Sequence, residues 1–192
     1  MPRIVLASTS PYRRELLARL RLPFAVVAPD VDETPRSGEA PVETAQRLAL
    51  AKAHAVAARE RGAVVIGSDQ VADLEGRALS KPGSHEAALG QLRALRGRSV
   101  VFHTAVALVQ DGRAEVVEVP TSVRFRTLDD AALERYLRAD TPYDCAGAAR
   151  VESLGIALLE QVRADDPTAL VGLPLIRVTQ LLGRFGVDVL AA

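Results

Sequence analysis

Cysteine is all but missing from these 192 residues: Cys145 stands alone, so no internal disulfide and no cysteine-based zinc site can form. A lone thiol fits a reducing compartment, and the expected location is the cytoplasm. Tryptophan is absent and aromatic residues make up 4%, which argues against base-stacking platforms for single strands, although a few rings suffice to hold one nucleobase. Neither sign of charge is in excess, with 24 Lys plus Arg against 24 Asp plus Glu, so no bulk field draws in a polyanion and no nucleic-acid partner is expected. Long hydrophobic runs are also lacking. No stretch approaches the roughly 18 residues of a membrane helix, and Met1 to Ala7 runs into a turn without a signal-peptide pattern, so neither membrane insertion nor export is expected. What is present is a globular composition, 48% hydrophobic and 25% charged, without repeats or low-complexity tracts, and residues 1–192 are expected to form a single domain.

Arg3 to Ala7 is a short aliphatic run that meets Ser8-Thr9-Ser10-Pro11, the pattern of a buried strand delivered into a helix start with Ser10 as N-cap. Leu16, Leu17 and Leu20 continue at helical spacing, and Phe24 to Ala28 reads as a second strand. Pro29 to Pro41 holds three prolines and several acids, hence a loop, and an alanine-rich helix follows over about Val42 to Arg61. Ala63 to Ser68 is an apolar run that predicts a central strand presenting Asp69 at its carboxyl end, where α/β proteins bind ligands. Past a hairpin-like stretch at Glu75-Gly76-Arg77, a helix is expected from about His85 to Leu95. Val100–Val109 and Ala114–Phe125 flank Asp111-Gly112 and form the clearest hairpin. Thr127 to Asp130 opens a helix by a capping-box pattern, Ile156 to Val162 is strand-like, and Gly172-Leu173-Pro174 starts a last helix before a short Val187–Leu190 strand. The pattern is α/β with a mixed sheet in two lobes.

Three groups could carry chemistry. Hydroxyls, free backbone N–H groups and the arginines at 13 and 14 suit phosphate oxygens at the start of the first helix, although the same residues also read as an ordinary N-cap with surface arginines. Asp30, Asp32, Glu33 and Asp69 are oxygen-only donors of the kind that hold Mg²⁺ or Mn²⁺ together with substrate phosphates, and equally the acids of a solvated loop. Asp69, after its apolar run, is the candidate general base or metal ligand. Lys52 and Lys81 complete the set, with Lys81 held beside a Pro-Gly turn and so better placed for a phosphate contact. His54, His85 and His103 have no metal-ligand spacing and read as structural or surface residues. Cys145, without a histidine or helix start beside it, reads as a buried small residue.

Together these segments resemble the Maf family of nucleoside triphosphate pyrophosphatases across essentially the whole chain. The motifs are Leu6 to Leu17, Asp32-Glu33, Lys52, Gly67 to Val71, Ser80-Lys81-Pro82, Tyr143 to Gly147 and Gly172 to Leu175. The resemblance implies an α/β fold related to the inosine triphosphate pyrophosphatases, with a mixed twisted sheet and flanking helices in two lobes around a nucleotide cleft. It also implies hydrolysis of a nucleoside triphosphate to monophosphate and pyrophosphate with a divalent metal cation, Mg²⁺ or Mn²⁺. Carried over by position, Asp69 is catalytic, Glu33 and Asp69 hold metal, and Ser8, Arg13, Lys52 and Lys81 hold phosphate. Tyr12, Gln70 and Glu152 stand where substrate choice is made, and their combination resembles the branch that hydrolyses 7-methyl-GTP. An acid such as Glu152 could offset the positive charge of 7-methylguanine, and Tyr12 could offer it a π-face. The alternatives are a dTTP or UTP pyrophosphatase of the same family and a regulatory nucleotide-binding protein linked to septum formation. The family also makes a homodimer plausible.

Overall fold

A computed structural model describes residues 1–191. In chain order the elements are β1 (Ile4–Ala7), α1 (Pro11–Ala18), β2 (Phe24–Val27), α2 (Pro41–Ala57), β3 (Val64–Leu74), β4 (Arg77–Leu79), α3 (His85–Leu95), β5 (Ser99–Gln110), β6 (Arg113–Phe125), α4 (Asp130–Asp140), β7 (Leu159–Ala164) and α5 (Leu175–Arg184). Short 3-10 turns lie at Ala146–Ala148, Leu154–Leu158 and Ala169–Val171. Among the described residues the strands form one seven-stranded mixed sheet in the order β2-β1-β3-β5-β6-β7, with β4 paired on β3.

The sheet has two halves because β1 is short and β3 is long. β1 pairs in parallel with β2 and with Val64–Gly67 of β3, then ends, whereas β5 runs antiparallel to β3 from Val65 to Asp73. Period-two alternation along β3 sends Ile66 to one face and Val65, Gly67 and Asp69 to the other. On the first face Leu16 and Leu17 of α1 pack with Leu181 and Leu182 of α5 against Leu6, Ile66 and Leu108. On the other, Ala45, Ala49 and Ala53 of α2 pack against Val5, Ala7, Val65 and Ala107. A separate core around Leu92, Leu95, Phe102, Val123, Leu133 and Leu137 joins α3 and α4 to the far half of the sheet. These cores leave the two-lobed α/β arrangement that the sequence pattern implies, with a cleft where β1 stops.

Several boundaries differ from expectation, each for a physical reason. β3 does not end at Asp69; it continues to Leu74, because β5 goes on supplying backbone partners past the point where β1 runs out. Asp69 therefore lies in mid-strand, at the edge of the parallel half. The cap of α4 is Asp129, whose carboxylate accepts from the Ala132 N–H at 2.8 Å, and not Thr127. The apolar stretch from Ile156 is a 3-10 turn up to Leu158, with β7 beginning only at Leu159. No strand forms over 187–190: Val187 and Val189 instead pack against the α1–α5 core. The Asp111-Gly112 turn is as expected, both residues having positive φ, 46° and 86°.

Gly67 governs how closely α2 lies on the sheet. A Cβ there would fall onto the Ala49 carbonyl oxygen and come within 2.7 Å of the Ala53 backbone nitrogen. Both obstacles are helix backbone and cannot rotate away. Gly67→Ala is therefore expected to destabilise the fold by about 3 kcal/mol, the upper end for an overpacked core, measured by urea unfolding. A loss within error of zero would show that α2 can slide.

Candidate active site

The cleft between the two halves encloses about 630 Å³. Its floor is set by α2 lying on β3, which brings the buried Lys52 (5% exposed) over the buried Asp69 (7% exposed). The Lys52 ammonium donates to Asp69 Oδ1 at 2.7 Å and pairs with Glu33 Oε1 at 2.8 Å. Glu33 comes from the Pro-rich loop and remains half exposed. The two carboxylates differ in electrostatics. Desolvation pushes Asp69 above the ordinary aspartate range, against the pull of Lys52 and Arg13. Desolvation acts on Glu33 as well, but the bond to Lys52 and the charges of Lys52, Lys81 and Arg13 outweigh it and hold Glu33 below the usual range.

Arg13 stands in the first turn of α1, on the cleft wall. Its Nε donates to the Gly172 carbonyl at 2.8 Å, leaving the two Nη groups of the fork for an anion. Gly172 has φ 114°, which glycine adopts readily, and the Arg13 Nε lies 3.5 Å from where a Cβ would stand. Burial draws Arg13 below its ordinary value, opposed by Asp69 and Glu33. Lys81 lines the opposite rim and is exposed. Ser10 caps α1 by accepting from the Arg13 N–H at 3.3 Å, as its position implies.

At the other end of the cleft Tyr12 lies with Asp144, Cys145 and Glu152, while Gln70 lines the cleft beside Asp69 on β3. Burial raises the Tyr12 hydroxyl above its ordinary value. Burial likewise raises Glu152, with Asp140 and Asp144 adding to it. Arg150 anchors this segment, donating to the Asp140 carbonyl at 2.9 Å and to Asp144 Oδ1 at 3.0 Å.

Arg13, Glu33, Lys52, Asp69 and Lys81 thus share one cleft with Tyr12, Gln70 and Glu152. Ser8 does not line it: the residue is buried, and its hydroxyl accepts from the Ser10 N–H at 3.0 Å, so it shapes the turn while Thr9 and Ser10 face the cavity. Asp30 and Asp32 do not line it either, and Asp32 accepts from the Thr34 N–H. Cys145 is not the buried filler its surroundings in sequence suggest; it reaches the cleft wall, though burial pushes its thiol up to about 11, which keeps it protonated and unreactive. Asp144, Cys145 and Gly172 belong to recognised motifs that carried no assigned role, and their places in those motifs were the available signal.

Among the described residues no three His, Cys, Asp or Glu side chains converge as a metal cage. Two carboxylates do converge on one point, now held by the Lys52 ammonium, and they offer only hard oxygen donors. That donor set fits Mg²⁺ or Mn²⁺, which take one or two carboxylates and complete their shell with phosphate and water.

The chain is similar to known proteins over nearly its whole length. A family model described as Maf-like protein matches residues 3–185. A protein of Bordetella pertussis named 7-methyl-GTP pyrophosphatase is 59% identical over 187 residues, covering 97% of this chain and 94% of that protein. Proteins of the same name from Albidiferax ferrireducens, 58% identical over 192 residues, and Burkholderia thailandensis, 59% identical over 191, cover 96% and 89% of their own lengths.

Replacing Lys52 tests the electrostatics of the floor. Lys52→Met leaves Asp69 buried without its cation, and at neutral pH the variant should lose about 3 kcal/mol of stability. Asp69 has a raised folded pKa, so the uncompensated charge vanishes as pH falls through it, and the deficit should shrink toward acid pH. Urea unfolding of both proteins across pH checks this; a deficit independent of pH would mean that the loss is one of packing alone.

Proposed function

The chain belongs to the Maf family, and from that premise we propose that it hydrolyses 7-methyl-GTP to 7-methyl-GMP and pyrophosphate. The observation that carries the reading is the division of charge in the cleft: Arg13, Lys52 and Lys81 gather with Glu33 and Asp69, while Tyr12 lies with Asp144 and Glu152. A triphosphate fits the first and a cationic base the second.

In this reading Asp69 accepts the proton of a water that attacks the α-phosphorus. The bond between that phosphorus and the bridging oxygen to the β-phosphorus breaks, and its electron pair leaves on pyrophosphate. Desolvation suits Asp69 to the task, because a carboxylate drawn above its ordinary value is a stronger proton acceptor, and Lys52 and Arg13 oppose that rise. The Arg13 fork and the Lys81 ammonium neutralise charge growing on the leaving pyrophosphate. Lys52 orients Asp69 by its 2.7 Å bond. Glu33 and Asp69 are the residues that would hold the divalent cation, which when bound supplies further neutralisation of phosphate oxygens. A site in the cytoplasm, where nucleotides are made and damaged, accords with the removal of modified nucleotides. None of the described helices is long and apolar enough to cross a membrane.

Pyrophosphate release from 7-methyl-GTP, GTP, dTTP and UTP, each with Mg²⁺ or Mn²⁺, tests the assignment. Preference for 7-methyl-GTP is expected; preference for dTTP or UTP would keep the chemistry and overturn the reading of Gln70 and Glu152. Asp69→Asn should lower turnover about a thousandfold while nucleotide binding is retained, and equal losses of both would count against its role. In the metal-free protein the Asp69 carboxyl should titrate above the ordinary aspartate value of 3.8, as its burial requires, read by carbon NMR across pH. Titration at or below that value would show that Lys52 and Arg13 outweigh the desolvation.

A further inference from the structure

Thr104 has no role in the reading above, yet it is fully buried directly across from Gln70, its register partner on β5. Its hydroxyl donates to the Ala169 carbonyl at 2.9 Å. With its one hydrogen committed there, the Thr104 oxygen can only accept, and it does so from Gln70 Nε2 at 2.9 Å. The same Nε2 also donates to the carbonyls of Ala169 and Leu170, each at 3.0 Å. Every group around this end of the Gln70 amide is therefore an acceptor. A flipped amide would set its oxygen against three acceptor oxygens, and the buried acceptors would go without their donor. The amide has one allowed orientation, with Nε2 turned to the turn at Ala169–Val171 and Oε1 left as the end available to a ligand in the cleft that Gln70 lines.

We propose that Thr104 is a positioning residue for base selection: through the Ala169–Leu170 carbonyls it locks Gln70 so that the cleft presents an acceptor, and only an acceptor, at this point. The base it suits carries N–H donors on its pairing edge. Guanine and 7-methylguanine, with N1–H and the exocyclic amine, meet this demand, whereas adenine offers an acceptor at N1. The inference deepens the proposed function and rests on it for the identity of the base. The lock itself is a property of the free protein.

Titration calorimetry with 7-methyl-GMP and AMP reads selectivity without turnover. Thr104→Val keeps the shape of the side chain and removes the hydroxyl; affinity for 7-methyl-GMP should fall about tenfold, with little change for AMP, and Thr104→Ser should restore it. Equal losses for both nucleotides, or an unchanged preference, would overturn the proposal, since a purely structural residue would not discriminate between bases. Gln70→Glu gives a second reading that leaves Thr104 in place. A carboxylate is a stronger acceptor for guanine but cannot satisfy the three acceptors behind it, so 7-methyl-GMP should bind more weakly, and tighter binding would overturn the lock. Should the wild type show no preference for 7-methyl-GMP, the proposed substrate fails. The lock is then judged in the nucleotide-free protein by hydrogen exchange at the Gln70 side-chain amide, which should be slow in the wild type and fast in Thr104→Val. Fast exchange in the wild type overturns it.

Discussion

The meeting of one ammonium with two carboxylates at the cleft floor is the constraint from which the rest of the architecture follows. Asp69 and Lys52 are both buried, and neither charge is tolerable there without the other. Bringing them to 2.7 Å requires α2 to lie on β3 at a separation that any side chain at position 67 would prevent. Gly67 is two residues before Asp69 on the same face of the strand, and Ala49 and Ala53 flank Lys52 on the same helix, so small residues at the crossing set the approach and the charged pair uses it. The alanine-rich character of α2 is thus tied to the position of a single carboxylate.

The sheet supplies the opening. β1 stops at Ala7, opposite Gly67, and the chain turns into α1 with Ser8 and Ser10 closing the turn. β3 carries on beside β5, and β4 joins its other flank only from Ala72, so Asp69 and Gln70 lie just past the edge of the parallel half with one flank unpaired. A strand that ended at Asp69 would have placed the carboxylate on a mobile loop. A strand that runs through it holds the carboxylate by backbone pairing on one side while the other side faces the cavity, which suits the proton acceptor proposed at this position.

Much of this was legible in the residues, and the parts that were not share a cause. The N-cap at Ser10, the Asp111-Gly112 hairpin and the extent of α3 depend on local geometry that a few neighbouring residues determine. The length of β3, the missing strand at 187–190 and the late start of β7 depend on whether a distant segment offers backbone partners, which periodicity does not reveal. The site divides in the same way. Asp69, Lys52, Arg13, Glu33 and Lys81 stand out by residue type and motif, and they do converge. Ser8 carries the same motif signal but spends its hydroxyl on the turn, and Thr104 is one threonine among others until its register with Gln70 is seen.

A chain with no net charge can still hold a strongly polarised cavity, and here the polarity runs along the cleft. At the Asp69 end Arg13, Lys52 and Lys81 outnumber Glu33 and Asp69. At the far end Asp144 and Glu152 line the wall, with Arg150 compensating only in part because it also serves the Asp140 carbonyl. Burial is the first cause of the raised titration of Glu152 and Tyr12, and the neighbouring acids Asp140, Asp144 and Glu152 add to it, so it is these acids that favour an incoming cation at this end. An ordinary nucleotide satisfies only the cationic end. A nucleotide whose base itself carries positive charge satisfies both, and its dipole lies along that of the cleft. Selection between bases then needs few direct contacts: the field favours the charged base, and an acceptor held in one orientation by Thr104 checks its hydrogen-bonding edge.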